Sequence, residues 1–143
     1  MQNLISYLHS APSILGVARS ADGQLHEFHS KGIIDLYTLV TERPTFLRNG
    51  LLADEVIGRG AALLLVKAGA KEVWADMISE QALDVLKAAG IPTSYEKKVP
   101  YIINRTHTGM CPVEQLTQHI TDPDEAYRQI GKFLAEINAP KVA

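Results

Sequence analysis

The chain holds one cysteine, Cys111, so it cannot form an internal disulfide, which fits a reducing compartment. Long apolar runs are missing too. The most hydrophobic stretch, Ala61 to Val66, falls far short of the roughly 20 residues that cross a bilayer. The first residues lack the basic start and unbroken apolar core of a secretory leader. These absences predict a cytoplasmic protein with no membrane partner. Charge of one sign is not in excess: 14 Lys and Arg stand against 16 Asp and Glu, a net charge of −2. No nucleic acid held by its phosphates is therefore expected. There is no internal repeat, low-complexity segment or linker, and 143 residues are read as a single domain spanning 1–143.

What is present reads as an α/β domain. Asn3 to His9 forms a short helix with Leu4 and Leu8 on one face. Ser13 to Arg19 and Leu25 to His29 make a hairpin around Ala21-Asp22-Gly23, because Asp-Gly supplies the positive φ of a tight turn. Ile33 to Thr41 is an amphipathic helix, and Arg43 to Leu52, with Pro44, Asn49 and Gly50, reads as a loop. A helix is predicted from about Asp54 to Ala68, ended by Gly69, then a strand over Lys71 to Asp76. Ser79 caps a helix that stops at Gly90. Pro92 to Tyr95 and Val99 to Ile103 are strand candidates. Cys111-Pro112 and Asp122-Pro123 open the last two helices, the second with a stripe of Tyr127, Ile130, Leu134 and Ile137. The last five residues are expected to fray. This order predicts a mixed β-sheet with helices on both faces.

Three motifs carry a resemblance. Asp54-Glu55-Val56-Ile57-Gly58-Arg59-Gly60-Ala61-Ala62, Ile78-Ser79-Glu80-Gln81-Ala82, and Asn104-Arg105 with Gly109-Met110-Cys111-Pro112-Val113-Glu114 resemble a small bacterial family of unknown function in the cytidine-deaminase-like superfamily. Glu55 and Gly60 depart from that family, which often has Lys and Ala there. The resemblance implies a three-layer deaminase-like fold. Zinc deaminases place His-x-Glu or Cys-x-Glu at one central helix start and Pro-Cys-x-x-Cys at the next. The corresponding starts here, Gly58-Arg59-Gly60 and Ser79-Glu80-Gln81-Ala82, hold no thiol or imidazole, so neither a zinc site nor another cofactor is expected.

Gly58 and Gly60 each cost about 1 kcal/mol inside a helix, and Arg59 opposes the macrodipole at a helix start. A bound anion beside them would offset both. Packing explains them as well, with Asp54 capping the helix and Arg59 pairing with Glu55. Ser79 and Glu80 follow a strand at the end where α/β folds bind ligands, although a cap and a first-turn acid are favourable anyway. The loop from Asn104 to Glu114 gathers the most polar chemistry. Cys111 at a helix start is a candidate nucleophile and His107 its base. Arg105 and Asn104 could hold an anionic group. Glu114 could face a ligand or return a capping bond to the Cys111 N–H. The remaining histidines, His9, His26, His29 and His119, show no metal-ligand spacing with His107.

Three functions stay open. The first is a protein binding a small anionic or nucleotide-like ligand. The second is a metal-independent hydrolase or transferase using Cys111 or a carboxylate. The third is a non-catalytic self-association or protein-interaction module, for instance a homodimer.

Overall fold

The computed structural model describes residues 1–104 and 106–137. Arg105 and the C-terminal residues expected to fray lie outside them. The elements, in chain order, are α1 (Gln2–Leu8), β1 (Gly16–Arg19), β2 (Leu25–Phe28), α2 (Ile34–Glu42), β3 (Leu51–Ile57), α3 (Arg59–Ala68), β4 (Glu72–Ser79), α4 (Glu80–Ala88), β5 (Thr93–Val99), α5 (Pro112–Thr117) and α6 (Pro123–Ile137). The sheet runs β2-β1-β3-β4-β5. β1 lies antiparallel to both β2 and β3, whereas β3, β4 and β5 are mutually parallel. No helix among the described residues is long and apolar enough to cross a membrane.

Side-chain alternation divides the core between the two faces. Val17 and Ala53 pack with Leu4, Leu8 and Ile14, so α1 covers one face. Ala18, Leu52 and Val73 turn the other way, into a larger core closed by α2, α3 and α4. Helix α3 is buried nearly all round, through Ala62, Leu63, Leu64 and Leu65, and has α4, α5, α6 and α2 as neighbours. Gly69, at φ 74°, ends it in the left-handed region that favours glycine. Leu52 and Ile57 share one core although five residues apart, as do Val73 and Ile78. Strict alternation would separate each pair, so both central strands slip phase near Glu55 and Asp76.

The largest departure from the sequence reading is β3. Leu51 to Ile57 was expected as the end of a loop and the start of a helix, but it is a central strand paired on both sides. Gly58, with extended backbone at φ −100° and ψ 179°, ends the strand and caps α3, so the helix begins five residues later than expected. The apolar run of α3 follows the strand almost directly and hides the boundary. Asp54 accordingly caps nothing. Strand β4 continues to Ser79, which then caps α4 by accepting the Ala82 N–H at 3.1 Å. The strand expected over Pro92 to Tyr95 runs on to Val99 as β5, whereas the one expected over Val99 to Ile103 does not form beyond Val99, and Ile103 makes only an isolated bridge to Met110.

Candidate functional site

The tips of α3 and α4 meet at one side chain, Glu114. It projects from the short helix α5 and is 1 % exposed. Its Oε1 accepts the Arg59 backbone N–H at 3.1 Å and the Ser79 hydroxyl at 2.7 Å, and its Oε2 accepts the Ile102 N–H at 3.0 Å. A helix N-terminus presents unpaired N–H groups and partial positive charge. Here the chain's own carboxylate answers two such ends at once. The expected capping bond from Glu114 to the Cys111 N–H does not form, because that N–H donates to the Ile102 carbonyl at 2.7 Å.

The two glycines make room for this arrangement. A Cβ on Gly58 would stand 3.0 Å from Glu114 Oε2 and 3.3 Å from Ile102 Cγ1. On Gly60 it would stand 2.5 Å from Val113 Cγ1 and 3.3 Å from Ile130 Cδ1. Gly58 is outside the helix, so only Gly60 bears the helical glycine penalty. Close packing of α5 and α6 on α3 is what that penalty secures.

Arg59 resolves its conflict with the α3 dipole by reaching the far end of α5. Its Nε donates to the Thr117 carbonyl at 2.7 Å and its Nη2 to the Ile120 carbonyl at 2.6 Å. A cation at a helix C-terminus is favourable, and no pairing with Glu55 is formed. The two carbonyls need the forked guanidinium, which a lysine cannot imitate. Arg59→Lys is expected to lose about 1–2 kcal/mol of stability and Arg59→Met about 3 kcal/mol, measured by urea unfolding.

The polar loop turns mainly on itself. Asn104 Oδ1 accepts the Thr108 N–H at 3.0 Å, and its Nδ2 donates to Thr108 Oγ1 at 3.0 Å. The His107 N–H donates to the Asn104 carbonyl at 3.1 Å. His107 is exposed, at φ 57°, and shares no hydrogen bond with Cys111. Cys111 is half-buried at the start of α5. Glu80 faces solvent from the first turn of α4. The structure therefore brings together Gly58, Arg59, Gly60, Ser79 and Glu114, leaves Glu80, Asn104 and His107 at the surface or in their own turn, and does not describe Arg105. A metal ion does not fit the helix tips, since their one carboxylate already accepts three hydrogen bonds. Among the described residues no three His, Cys, Asp or Glu side chains gather as a ligand set.

Asp54 went unnoticed in the sequence as a site. It sits on β3 in register with Gly16 and Ala75, and its Oδ1 accepts the Val56 N–H at 3.2 Å. Gly16 leaves space for it: a Cβ there would be 3.2 Å from Asp54 Oδ2 and 2.8 Å from the Phe28 ring. Burial pushes the Asp54 carboxyl up to about 8, and the charges of Glu55 and Asp76 add to this against the Val56 and Glu55 N–H groups. A carboxylate that follows Leu51-Leu52-Ala53 in a strand was the available signal, and the helix reading concealed it. On the α1 side an open hollow of about 310 Å³ is lined by Leu8, His9, Ala11, Ile14, Glu55 and Asp76. There His9 Nε2 lies 2.8 Å from Asp76, which also accepts the Trp74 indole Nε1–H at 2.9 Å. None of the residues expected to form a site lines this hollow.

No curated protein matches the chain. Its fold is shared with the crystal structure of a DUF1893 family protein, TM1506, from Thermotoga maritima, at TM-score 0.83 and 24% identity over 92% of this chain and 88% of that one. Residues 8–134 match the family model described as TM1506, a domain of unknown function (DUF1893). On that match over most of its length, the chain belongs to the DUF1893 family.

Proposed function

We propose that this chain is a cytidine-deaminase-like domain that acts by association with a protein surface, its helix-tip centre serving as structure. One observation supports the reading above the others: Glu114, inserted from α5, takes the donors at the tips of α3 and α4. Those tips are where zinc deaminases assemble their metal. An anionic or nucleotide-like ligand at Gly58, Arg59, Gly60, Ser79 and Glu80 would have to displace a buried carboxylate from three hydrogen bonds. Each such bond to a charged group is worth about 1.5–3 kcal/mol.

A thermal-shift screen with nucleotides and phosphorylated metabolites tests the proposal. No stabilisation is expected. A rise in Tm with any of these compounds would overturn it and restore the ligand-binding reading. The half-buried Cys111 at the start of α5 supports a second reading, a metal-independent hydrolase or transferase. Its alkylation rate against pH decides, since an apparent thiol pKa at or above about 8.5 removes the activated nucleophile.

A further inference from the structure

We infer that the hollow between hairpin turn 20–24 and segment 43–48 seats one acidic side chain, an aspartate or glutamate carboxylate on the surface of a partner protein. The inference rests on the association reading and names the patch and the chemistry of its partner. The hollow is open, holds about 300 Å³, and is lined by Ser20, Asp22, Gln24, Arg43, Phe46 and Arg48 among others. It lies far from the helix tips. Arg19, just before the turn, stands in register with Leu51, where β3 begins, whereas the tips follow Ile57 and Ser79, where β3 and β4 end.

Arg43 is held in place before any partner arrives. Its guanidinium stacks over the Phe46 ring, 4.4 Å from the centroid, and its Nη2 donates to Gln24 Oε1 at 3.0 Å. Phe46 is itself buried and packs against His26, so the platform is fixed. A guanidinium carries five N–H donors in a flat fork, and Gln24 takes one of them. Arg48 brings a second fork. Among the described residues no ion pair engages either arginine, and the Arg48 guanidinium makes no hydrogen bond. Such forks match a carboxylate, and an arginine already ordered loses less freedom on binding one.

Charge selects the occupant. Asp22 shares the hollow, where it accepts the Ser20 hydroxyl and, at 3.3 Å, the Gln24 Nε2–H. The Ser20 bond, aided by the Arg43 charge, holds the Asp22 carboxyl below its usual range, so it is ionised. Two cations against one anion leave a single positive charge, which one carboxylate balances. A phosphate monoester carries nearly two negative charges at neutral pH and meets Asp22 as well. A nucleic acid needs a longer track of cations than two, and the chain carries a net charge of −2. A free carboxylic acid would stay mostly in water in so open a hollow, whereas a side chain on a folded surface gains contacts around the rim.

Fluorescence polarisation of the full chain with a labelled hexaglutamate peptide tests this site. Saturable binding that weakens with added salt is expected, and a hexaglutamine peptide should not bind. Arg43→Gln and Arg48→Gln should each raise the dissociation constant about fivefold or more, and Asp22→Asn should lower it. Lys87→Gln removes another exposed cation, from the last turn of α4 outside the hollow, and should change little. Circular dichroism checks that each variant is folded. No binding, an effect of Lys87→Gln equal to that of Arg43→Gln, or tighter binding of a phosphoserine peptide of the same length overturns the inference. Each of these results leaves the closed helix-tip centre standing. A nucleotide-induced Tm shift retained in Arg43→Gln would sink that centre without touching the hollow.

Discussion

Replacing Glu114 with alanine is expected to cost about 3–5 kcal/mol, a large share of the 5–15 kcal/mol that holds a typical domain together. The Arg59 N–H, the Ser79 hydroxyl and the Ile102 N–H all lose their acceptor together. Two of these donors stand at buried helix starts, where water cannot readily replace the carboxylate. Ser79 is 0 % exposed, and an unmet buried donor costs about 1–3 kcal/mol. The midpoint of thermal unfolding should fall by about 10 °C or more. Glu114→Gln should fall between wild type and alanine. The amide keeps one acceptor oxygen but turns an NH₂ group toward at least one donor. Ser79→Ala should cost less once Glu114 is already alanine, because the two positions share one hydrogen-bond network. What remains is the lost α4 cap, about 0.5–2 kcal/mol.

The second large effect concerns pH. The native Asp54 carboxyl keeps its proton up to about pH 8, whereas the unfolded one releases it near 3.8. Between those values the native state binds more protons, so this group lowers stability as pH rises. The upper limit of the slope is about 1.4 kcal/mol per pH unit, and solvent reaching the half-buried group reduces it. Asp54→Asn has no such proton to lose. Its Tm should exceed the wild-type Tm at pH 8 by several degrees, and the two curves should converge toward pH 4.5. Calorimetry across that range checks the prediction; parallel curves would show that Asp54 is ionised in the native protein.

The parts of the fold read correctly from the sequence are those with local chemistry. Asp22-Gly23 forces the hairpin turn, with Gly23 at φ 92°. Ser79 caps its helix, and Pro123 begins α6. The family motifs were likewise legible as a set. β3 was not, because Asp54-Glu55 reads as the acidic first turn of a helix, and only Gly58-Arg59-Gly60 separates the strand from the apolar run of α3. The candidate site was legible by residue but not by role. Glu114 could be read as polar and near a helix start, yet its partners lie 55 and 35 residues away at Arg59 and Ser79. Arg59 posed a visible electrostatic problem, and the sequence suggested a foreign anion as its solution. The actual solution combines an internal carboxylate with the carbonyls of Thr117, at the end of α5, and Ile120, just beyond it, and no spacing rule encodes such contacts. Asn104 and His107 looked reactive because loop polarity does not reveal when a turn satisfies itself.

Restoring the missing carboxylate from solution probes the closed centre most directly. Thermal unfolding of wild type and Glu114→Ala would be followed in sodium acetate and, at matched ionic strength, in sodium chloride. Acetate is expected to raise the Tm of Glu114→Ala by several degrees over chloride and to leave the wild type unmoved, since only the variant has free donors. Equal stabilisation of both proteins, or of the wild type alone, would contradict a centre filled by Glu114.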